Sequence, residues 1–501
     1  MSSSPNTETK PDSPTEDRTT STLIGRCVDR CTASIRGAFL LQFGLWLTAI
    51  LLFTETVAAA NGVALANASR DPLDIPQWLY ISTGGATVGA SALLATFVTD
   101  RVYIRSLHTW SLSRFTVENR WQTIGWIGRW CGVCLLVLAV YVGFTGPQLP
   151  NASLTVLLTF VGIRAVLPMV AYLGGNLWPA INPWRALVSK FPTGIRTYPE
   201  QVERWPAVAG LLLLVWVEVV FPVSTIPRVL SMVIIGYTAV TIVGAVLFGS
   251  DPWFTNADPL SVLFRFYGAV APIQRDSEGI SVKLPGSELT DSDLITDTSD
   301  VAFVVALVWE LTYSGFITTQ AGASTIEAFV GLLSYGGVQA RAIIVYTVLL
   351  VSGYIVFFGA YWYAGTVTRR LTGTYLSARL IAFRFAPPLA AIAAGYHLAH
   401  YTGLAVSLGP ALGMALSSPL SPPANPLTLS PPGWFNALSI AFVLVGHLLA
   451  IWTAHGTAYE LFSSRLVAIR SQYPYILVMI GYTVISLWIL SLPGALPPYL
   501  S

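Results

Sequence analysis

The 501 residues of this chain are 54% hydrophobic and only 10% charged, and their mean hydropathy is +0.63. These values together exclude an ordinary soluble domain and are typical of a membrane protein with many spans. The sequence also lacks a P-loop, a nucleophile elbow and the metalloprotease H-E-x-x-H motif. We therefore expect a lipid bilayer as the main partner and no nucleic acid.

Taken in order, the chain begins with residues 1–22, mostly Ser, Thr, Pro, Asp and Glu, which predict a disordered cytoplasmic tail. Residues 23–501 are predicted to form one transmembrane domain, an all-α polytopic helix bundle. Apolar windows long enough to cross a hydrocarbon core, about 20 residues each, recur eleven times. We place them near 38–60, 77–98, 125–145, 152–174, 206–222, 229–249, 301–319, 340–363, 385–415, 435–458 and 474–492.

The placement of basic residues predicts the orientation of this bundle. With the N-terminus inside, 23 of the 27 Lys and Arg residues fall on the inner side, and only Arg70, Arg228 and Arg341 fall outside. Positive charge concentrates in cytoplasmic loops. The asymmetry therefore predicts eleven spans in a cell membrane, with the N-terminus inside and the C-terminus outside.

Four loop segments have recognisable patterns. Segments 182–191 and 257–270 begin near an Asx-Pro pair, which suits a capped helix, and their apolar stripes predict helices in the cytoplasmic interface. Their similarity suggests that spans three-four and five-six are duplicated units. Segment 274–300 is predicted to be an acidic cytoplasmic loop, and the proline-rich segment 417–432 an extended outer loop.

Four of the five histidines lie in two neighbouring spans: His397, His400, His447 and His455. At 1.5 Å per helical residue, His397, His400 and His447 lie roughly 15–21 Å from the inner face. Glu218, Glu310 and Arg164 are predicted near the same plane, whereas His455 is predicted close to the inner surface. Each isolated ionisable group inside a membrane costs a few kcal/mol, so this grouping predicts a functional site.

The chemistry of that site has three interpretations. His397, His400 and His447 with a carboxylate from Glu310 or Glu218 would suit zinc, copper or iron, and His455 is a further candidate ligand. Alternatively, His400 and His447 could hold the iron of haem b between two helices. In the third interpretation, the histidines only hydrogen-bond to backbone carbonyls and to tyrosines, and Arg164 pairs with Glu218.

Several segments resemble one known family. They are WPAINPWRAL, RWPAVAGLLLLVWVEVVFP, AVLFGSDPWF, HLAHYTGLAV and VGHLLAIWTAHGTAYELF. Over about residues 150–462 the chain is similar to polytopic membrane proteins of actinobacteria and haloarchaea often labelled fenitrothion hydrolase. The resemblance implies that Glu218, His400, His447 and His455 belong to a shared pattern. The seventh span departs from that pattern, with ELTYSGF in place of an Asp-Gly pair.

Three functions fit these observations. The first is a metal- or haem-dependent membrane protein, either a redox component or a hydrolase of a small apolar molecule, with Glu218 or Glu310 as the catalytic base. The second is a transporter that moves protons or metal ions through the midplane Glu, His and Arg residues. The third is an assembly subunit for a membrane or redox partner protein.

Overall fold

The computed structural model describes residues 77–115, 120–276, 279–432 and 434–500. The predicted tail at 1–22 and the first predicted span at 38–60 lie outside the described residues. The described chain is mainly helical, and eight of its helices are long and apolar enough to cross a membrane. This architecture is that expected of an integral membrane protein with several spans.

The main helices are numbered here in chain order: α1 Gln77–Ala95, α2 Arg101–His108, α3 Arg120–Thr145, α4 Leu154–Gly174, α5 Trp178–Ile181, α6 Pro183–Val188, α7 Trp205–Val220, α8 Pro227–Phe248, α9 Pro259–Val270, α10 Thr298–Ile317, α11 Gln320–Leu332, α12 Val338–Thr372, α13 Ala378–Phe385, α14 Pro388–Ser417, α15 Phe435–Leu461 and α16 Arg465–Ser491. Short helical turns occur at Glu200–Val202, Ser250–Pro252, Trp253–Ala257 and Ser287–Thr290.

Eight of the eleven predicted spans coincide with the eight long apolar helices, and two others are shorter than predicted. Helix α7 has 16 residues, so it rises only about 24 Å, less than the ~30 Å hydrocarbon core. It ends where Phe221 is extended (φ −103, ψ 150), because the following Pro222 disfavours helical backbone at that residue. In α1 only Gly84–Ala95 forms the apolar part.

The expectation of an all-α fold missed a small antiparallel sheet. Its strands are β1 Ser111–Phe115, β2 Ile273–Asp276 and β3 Gly279–Lys283, in the order β1-β3-β2. Part of the segment predicted as an acidic loop is therefore a β-hairpin. Strands of four or five residues in polar segments show too little alternation to be recognised, and β1 pairs with a strand far along the chain. The pairing shows that the loops containing β1 and β3 lie at the same end of the bundle.

Helices α10 and α14 form the centre of the bundle. Most residues of both helices are buried, and α10 packs against α7, α12 and α14. Helix α14 in turn packs against α4 and α15. The α14–α15 crossing needs two glycines, because a Cβ added at Gly395 would lie 2.8 Å from Cα of Gly446. At the edge, Gly84 of α1 packs against Leu487 of α16, so the glycine-rich run of α1 serves helix packing.

The two Asx-Pro segments meet each other in the fold. Oδ1 of Asn182 accepts hydrogen bonds from the first amides of α6, and a carboxylate oxygen of Asp258 accepts one from Ser261 N in α9. The Ser261 hydroxyl donates to Asp258 at 2.5 Å and lies 3.5 Å from Nδ2 of Asn182. Both segments thus begin with the predicted helix cap, whereas their position in a membrane interface stays a prediction. Many side chains of α9 are buried within the protein.

Candidate functional site

Three charged side chains from three helices meet in the interior of the bundle. Nε of Arg164, in α4, lies 3.2 Å from a carboxylate oxygen of Glu218 in α7. Nη2 of the same guanidinium lies 2.8 Å from a carboxylate oxygen of Glu310 in α10. The glutamates are 8% and 1% exposed, so both are removed from bulk solvent. We call these three residues the charge cluster; the sequence predicted their common depth and considered a pairing of Arg164 only with Glu218.

The charges of this cluster do not balance. One guanidinium faces two carboxylates, so the fully ionised cluster carries a net charge of −1. An uncompensated charge in a low-dielectric interior is costly. Among the described residues, Oε1 of Glu218 is buried and has no hydrogen-bond partner. The cluster therefore has an excess negative charge and a free carboxylate oxygen, which together can bind a proton or another small cation.

Arg164 lies in an unusual stretch of helix. Residues Leu158–Val166 of α4 form π-helical turns, which are rare and are frequently associated with functional sites. Pro168, four residues after Arg164, has no N–H to donate to the Arg164 carbonyl in the ordinary helical pattern. That carbonyl lies 2.9 Å from Nε2 of His397 in α14. The histidine thus connects the backbone of the charge cluster to the central helix.

The partners of His397 define which of its nitrogens is protonated. A carbonyl can only accept, so Nε2 carries the hydrogen that is donated to Arg164 O. Nδ1 is then the acceptor for the Tyr172 hydroxyl, 3.1 Å away. With the Tyr172 hydroxyl as the donor, His397 is a neutral histidine with both nitrogens engaged. In this arrangement it offers no lone pair to a metal ion.

Aromatic rings enclose the cluster. The ring of Tyr401 lies beneath the Arg164 guanidinium, 5.3 Å from its carbon, and 4.6 Å from the His397 ring. The ring of Tyr267 meets His397 edge-on at 5.8 Å, and its hydroxyl interacts electrostatically with Glu310. The hydroxyls of Tyr267 and Tyr401 are buried and have no hydrogen-bond partner within the described part of the chain. These side chains supply polar oxygens in an environment that excludes water.

The four predicted site histidines are divided among different surroundings. His400 faces α10, where its Cε1 would lie 3.7 Å from a Cβ added at Gly315. Nδ1 of His447 donates to the carbonyl of Val443 in its own helix at 2.8 Å. His455 contacts Gln472 of α16 and the carbonyl of Val98 instead.

The predicted metal ligands do not form a recognisable metal site in this arrangement. Within residues 77–115, 120–276, 279–432 and 434–500, no group of three or more His, Cys, Asp or Glu side chains is placed to hold a metal ion. The zinc, copper, iron and haem interpretations therefore stay predictions.

A second buried ionic network escaped the sequence analysis. Nη1 of Arg204, at the start of α7, lies 2.8 Å from both Asp297 and Asp300. Asp300 also pairs with Arg265 of α9, and its side chain is fully buried. Two arginines face two aspartates, so this network is electrically neutral, unlike the charge cluster. Nothing in the local pattern of the acidic segment 274–300 distinguishes these aspartates from its exposed ones.

Comparison with protein families, with curated proteins and with solved structures found no match for this chain.

Proposed function

We propose that this protein is a membrane transporter for a small molecule or ion, driven by the binding and release of a proton at the charge cluster. The observation that carries the proposal is the pairing of one guanidinium with two buried carboxylates. Ionisable residues near the middle of a membrane bundle are a common feature of proton relays and transport pathways. A proton neutralises the excess charge without needing a coordination shell.

Glu218 is the better proton acceptor of the two carboxylates. Its contact with Arg164 is longer, 3.2 Å against 2.8 Å for Glu310, and its second oxygen is unpartnered among the described residues. Glu310 is more deeply buried, at 1% against 8% exposure. Glu310 therefore acts as the permanent counter-ion of Arg164, and Glu218 as the group that gains and loses the proton.

Protonation of Glu218 changes the force between α4 and α7. When Glu218 is charged, Arg164 attracts both carboxylates and draws the two helices together. When Glu218 is neutral, the Arg164–Glu310 pair is balanced and the attraction to α7 weakens. The π-helical turns around Arg164 provide a segment of α4 whose backbone pattern can change, so movement between the helices can follow proton binding.

The arrangement favours transport over hydrolysis. Either carboxylate could serve as a general base, but the described residues place no group of three potential metal ligands where they could hold an ion that activates water. A histidine-held metal would need free lone pairs; His397 and His455 have both nitrogens engaged, whereas Nε2 of His447 has no hydrogen-bond partner among the described residues. The charge cluster needs no further group to bind a proton.

Infrared spectroscopy of the purified protein tests the proposal directly. We expect a carbonyl band of a protonated carboxyl group near pH 7 that is lost in Glu218→Gln. It should persist in Glu288→Gln, a matched control whose carboxylate pairs with Lys283 outside the long apolar helices. A band that survives Glu218→Gln, or no such band in the unmodified protein, would contradict the assignment.

Transport itself is measured in liposomes that contain a pH-sensitive dye and carry a pH gradient. Amino acids, sugars, organic acids and monovalent cations are added in turn as probes. We expect at least one probe class to speed the decay of the gradient with the unmodified protein and to have no effect with Glu218→Gln.

A further inference from the structure

His455 lies between two hydrogen-bond acceptors near the end of α15. Its Nε2 is 2.8 Å from the carbonyl of Val98, and its Nδ1 is 3.1 Å from Oε1 of Gln472. The side chain is fully buried, so it has no contact with bulk solvent. A neutral imidazole donates from one nitrogen only. One of the two contacts would then place a lone pair against an oxygen.

The orientation of Gln472 is fixed by a second contact. Its Nε2 donates to the carbonyl of Ala468 at 2.9 Å, one turn earlier in α16. Turning the amide round would place its oxygen against that carbonyl. The amide oxygen therefore points to His455, and both nitrogens of the histidine face acceptors.

Two further features favour a positive charge at this position. The Val98 carbonyl follows the last turn of α1, where Val98 N bonds to Ala95 O, and the C-terminal end of a helix attracts cations. The ring of Tyr459 lies 4.8 Å from the His455 ring, within the range of a cation–π contact. These groups offset part of the cost of burying an imidazolium.

We propose that His455 is a second proton-binding site of this protein and that it holds its proton in the conformation described here. The role of His455 in transport rests on the proposed function. A transporter driven by protons needs a group that exchanges them between the charge cluster and the membrane surface. The site releases its proton when α1 separates from α15, since that movement removes the Val98 carbonyl.

His108 of α2 interacts electrostatically with His455 and stays neutral. It stacks on Trp452 with ring centres 4.9 Å apart, and a Cβ at Gly456 would overlap its ring. Both of its ring nitrogens are buried and lack a partner among the described residues. Burial, and then the charge of His455, lowers the pKa of His108 to about 4. With that pKa, His108 stays neutral near pH 7 and does not take up the released proton.

The other titratable groups near this end of α15 are already paired or directed elsewhere. His397 and His400 of α14 face α4 and α10. Arg101 lies over Tyr459 and donates to the backbone carbonyls at the end of α15, and Arg465 also interacts with Tyr459. Arg384 pairs with Glu460, and Glu288 pairs with Lys283.

Nuclear magnetic resonance of protein labelled with nitrogen-15 histidine, reconstituted in lipid near pH 7, tests this assignment. We expect one imidazolium signal, with both nitrogens protonated, that is absent in His455→Asn and present in His447→Asn, a control on the same helix. If His455→Asn does not fold, Gln472→Leu provides the test. Loss of one acceptor should convert the His455 signal to a neutral tautomer.

A neutral His455 in the unmodified protein, or an imidazolium signal that survives His455→Asn, would overturn the inference. This measurement is independent of the carboxyl band of Glu218. An imidazolium at His455 without that band would keep the proton site and refute the charge cluster as the coupling site. The reverse result would refute His455 alone.

Discussion

The carbonyl of Arg164 accepts a hydrogen bond from Nε2 of His397 at 2.9 Å, while Pro168 cannot supply the helical donor for the same oxygen. One backbone atom thus joins Arg164, the positively charged member of the cluster, to the central helix α14. The contact explains how Arg164 can occupy a stretch of altered helix and still hold a defined position between two carboxylates.

This relationship predicts a measurable coupling between His397 and Pro168. His397→Phe should destabilise the protein by about 1–3 kcal/mol, the cost of leaving a buried carbonyl and the Tyr172 hydroxyl unpaired. In a Pro168→Ala background the new amide can donate to the carbonyl, so the same replacement should cost less. Thermal unfolding in detergent of both single variants and the double variant measures this. Strictly additive effects would show that Pro168 and His397 do not share the carbonyl.

The charge cluster predicts unequal effects of its three members. Arg164→Leu should be strongly destabilising, by about 3–5 kcal/mol, because it leaves two buried carboxylates without a partner. Glu218→Gln should change the unfolding temperature little, because a balanced Arg164–Glu310 pair remains. Expression level and thermal unfolding of the two variants are the measurements. Equal destabilisation by both variants would argue against Glu218 as the excess carboxylate of the cluster.

The hydrogen bonds predict opposite tautomers for two histidines. His397 should carry its hydrogen on Nε2, because that atom donates to Arg164 O, and His447 should carry it on Nδ1, because that atom donates to Val443 O. Carbon and nitrogen chemical shifts of labelled histidine, assigned with His397→Asn and His447→Asn, distinguish the two forms. Identical tautomers at both positions would contradict the described geometry.

The lowered pKa of His108 predicts that the protein loses stability in mild acid. Its pKa is lowered from 6.5 to about 4 in the folded protein, so the unfolded chain binds a proton over this range and the folded chain does not. Stability should therefore fall as the pH drops from about 6.5 to 4, by up to about 3 kcal/mol at 1.36 kcal/mol per pH unit. Unfolding temperatures at several pH values measure the effect. His108→Phe should flatten the profile, and an unchanged slope in that variant would refute the assignment.

The ion pairs of Asp300 predict that the neutral network with Arg204, Arg265 and Asp297 stabilises the fold. Asp300→Asn removes the charge that pairs with both Arg204 and Arg265, so it should cost about 3–5 kcal/mol. Asp293→Asn, in an exposed part of the same segment, should stay within about 0.5 kcal/mol of the unmodified protein. Thermal unfolding of the two variants provides the comparison. A tolerated Asp300→Asn would show that the arginines find other partners.

By itself the sequence predicted which segments form the long apolar helices. Length, hydropathy and helical rise predicted the eight long spans and the common level of Arg164, Glu218 and Glu310, because these quantities depend only on position along one helix. The Asx-Pro pairs predicted the caps of α6 and α9 for the same reason: a cap is a local contact. The basic residues also assigned the segments that contain β1 and β3 to one side of the membrane; the two strands pair with each other, while the inward orientation stays a prediction.

Only the tertiary structure decided which way the side chains face. His397 and His447 were predicted at similar depth, yet the first turns to α4 and the second bonds within its own helix. The rotation of each helix about its axis depends on the helices that pack against it, as at the Gly395–Gly446 crossing of α14 and α15. The sequence of one segment does not determine which helices those are. Packing between distant parts of the chain therefore made Arg164, rather than a histidine, the centre of the candidate site.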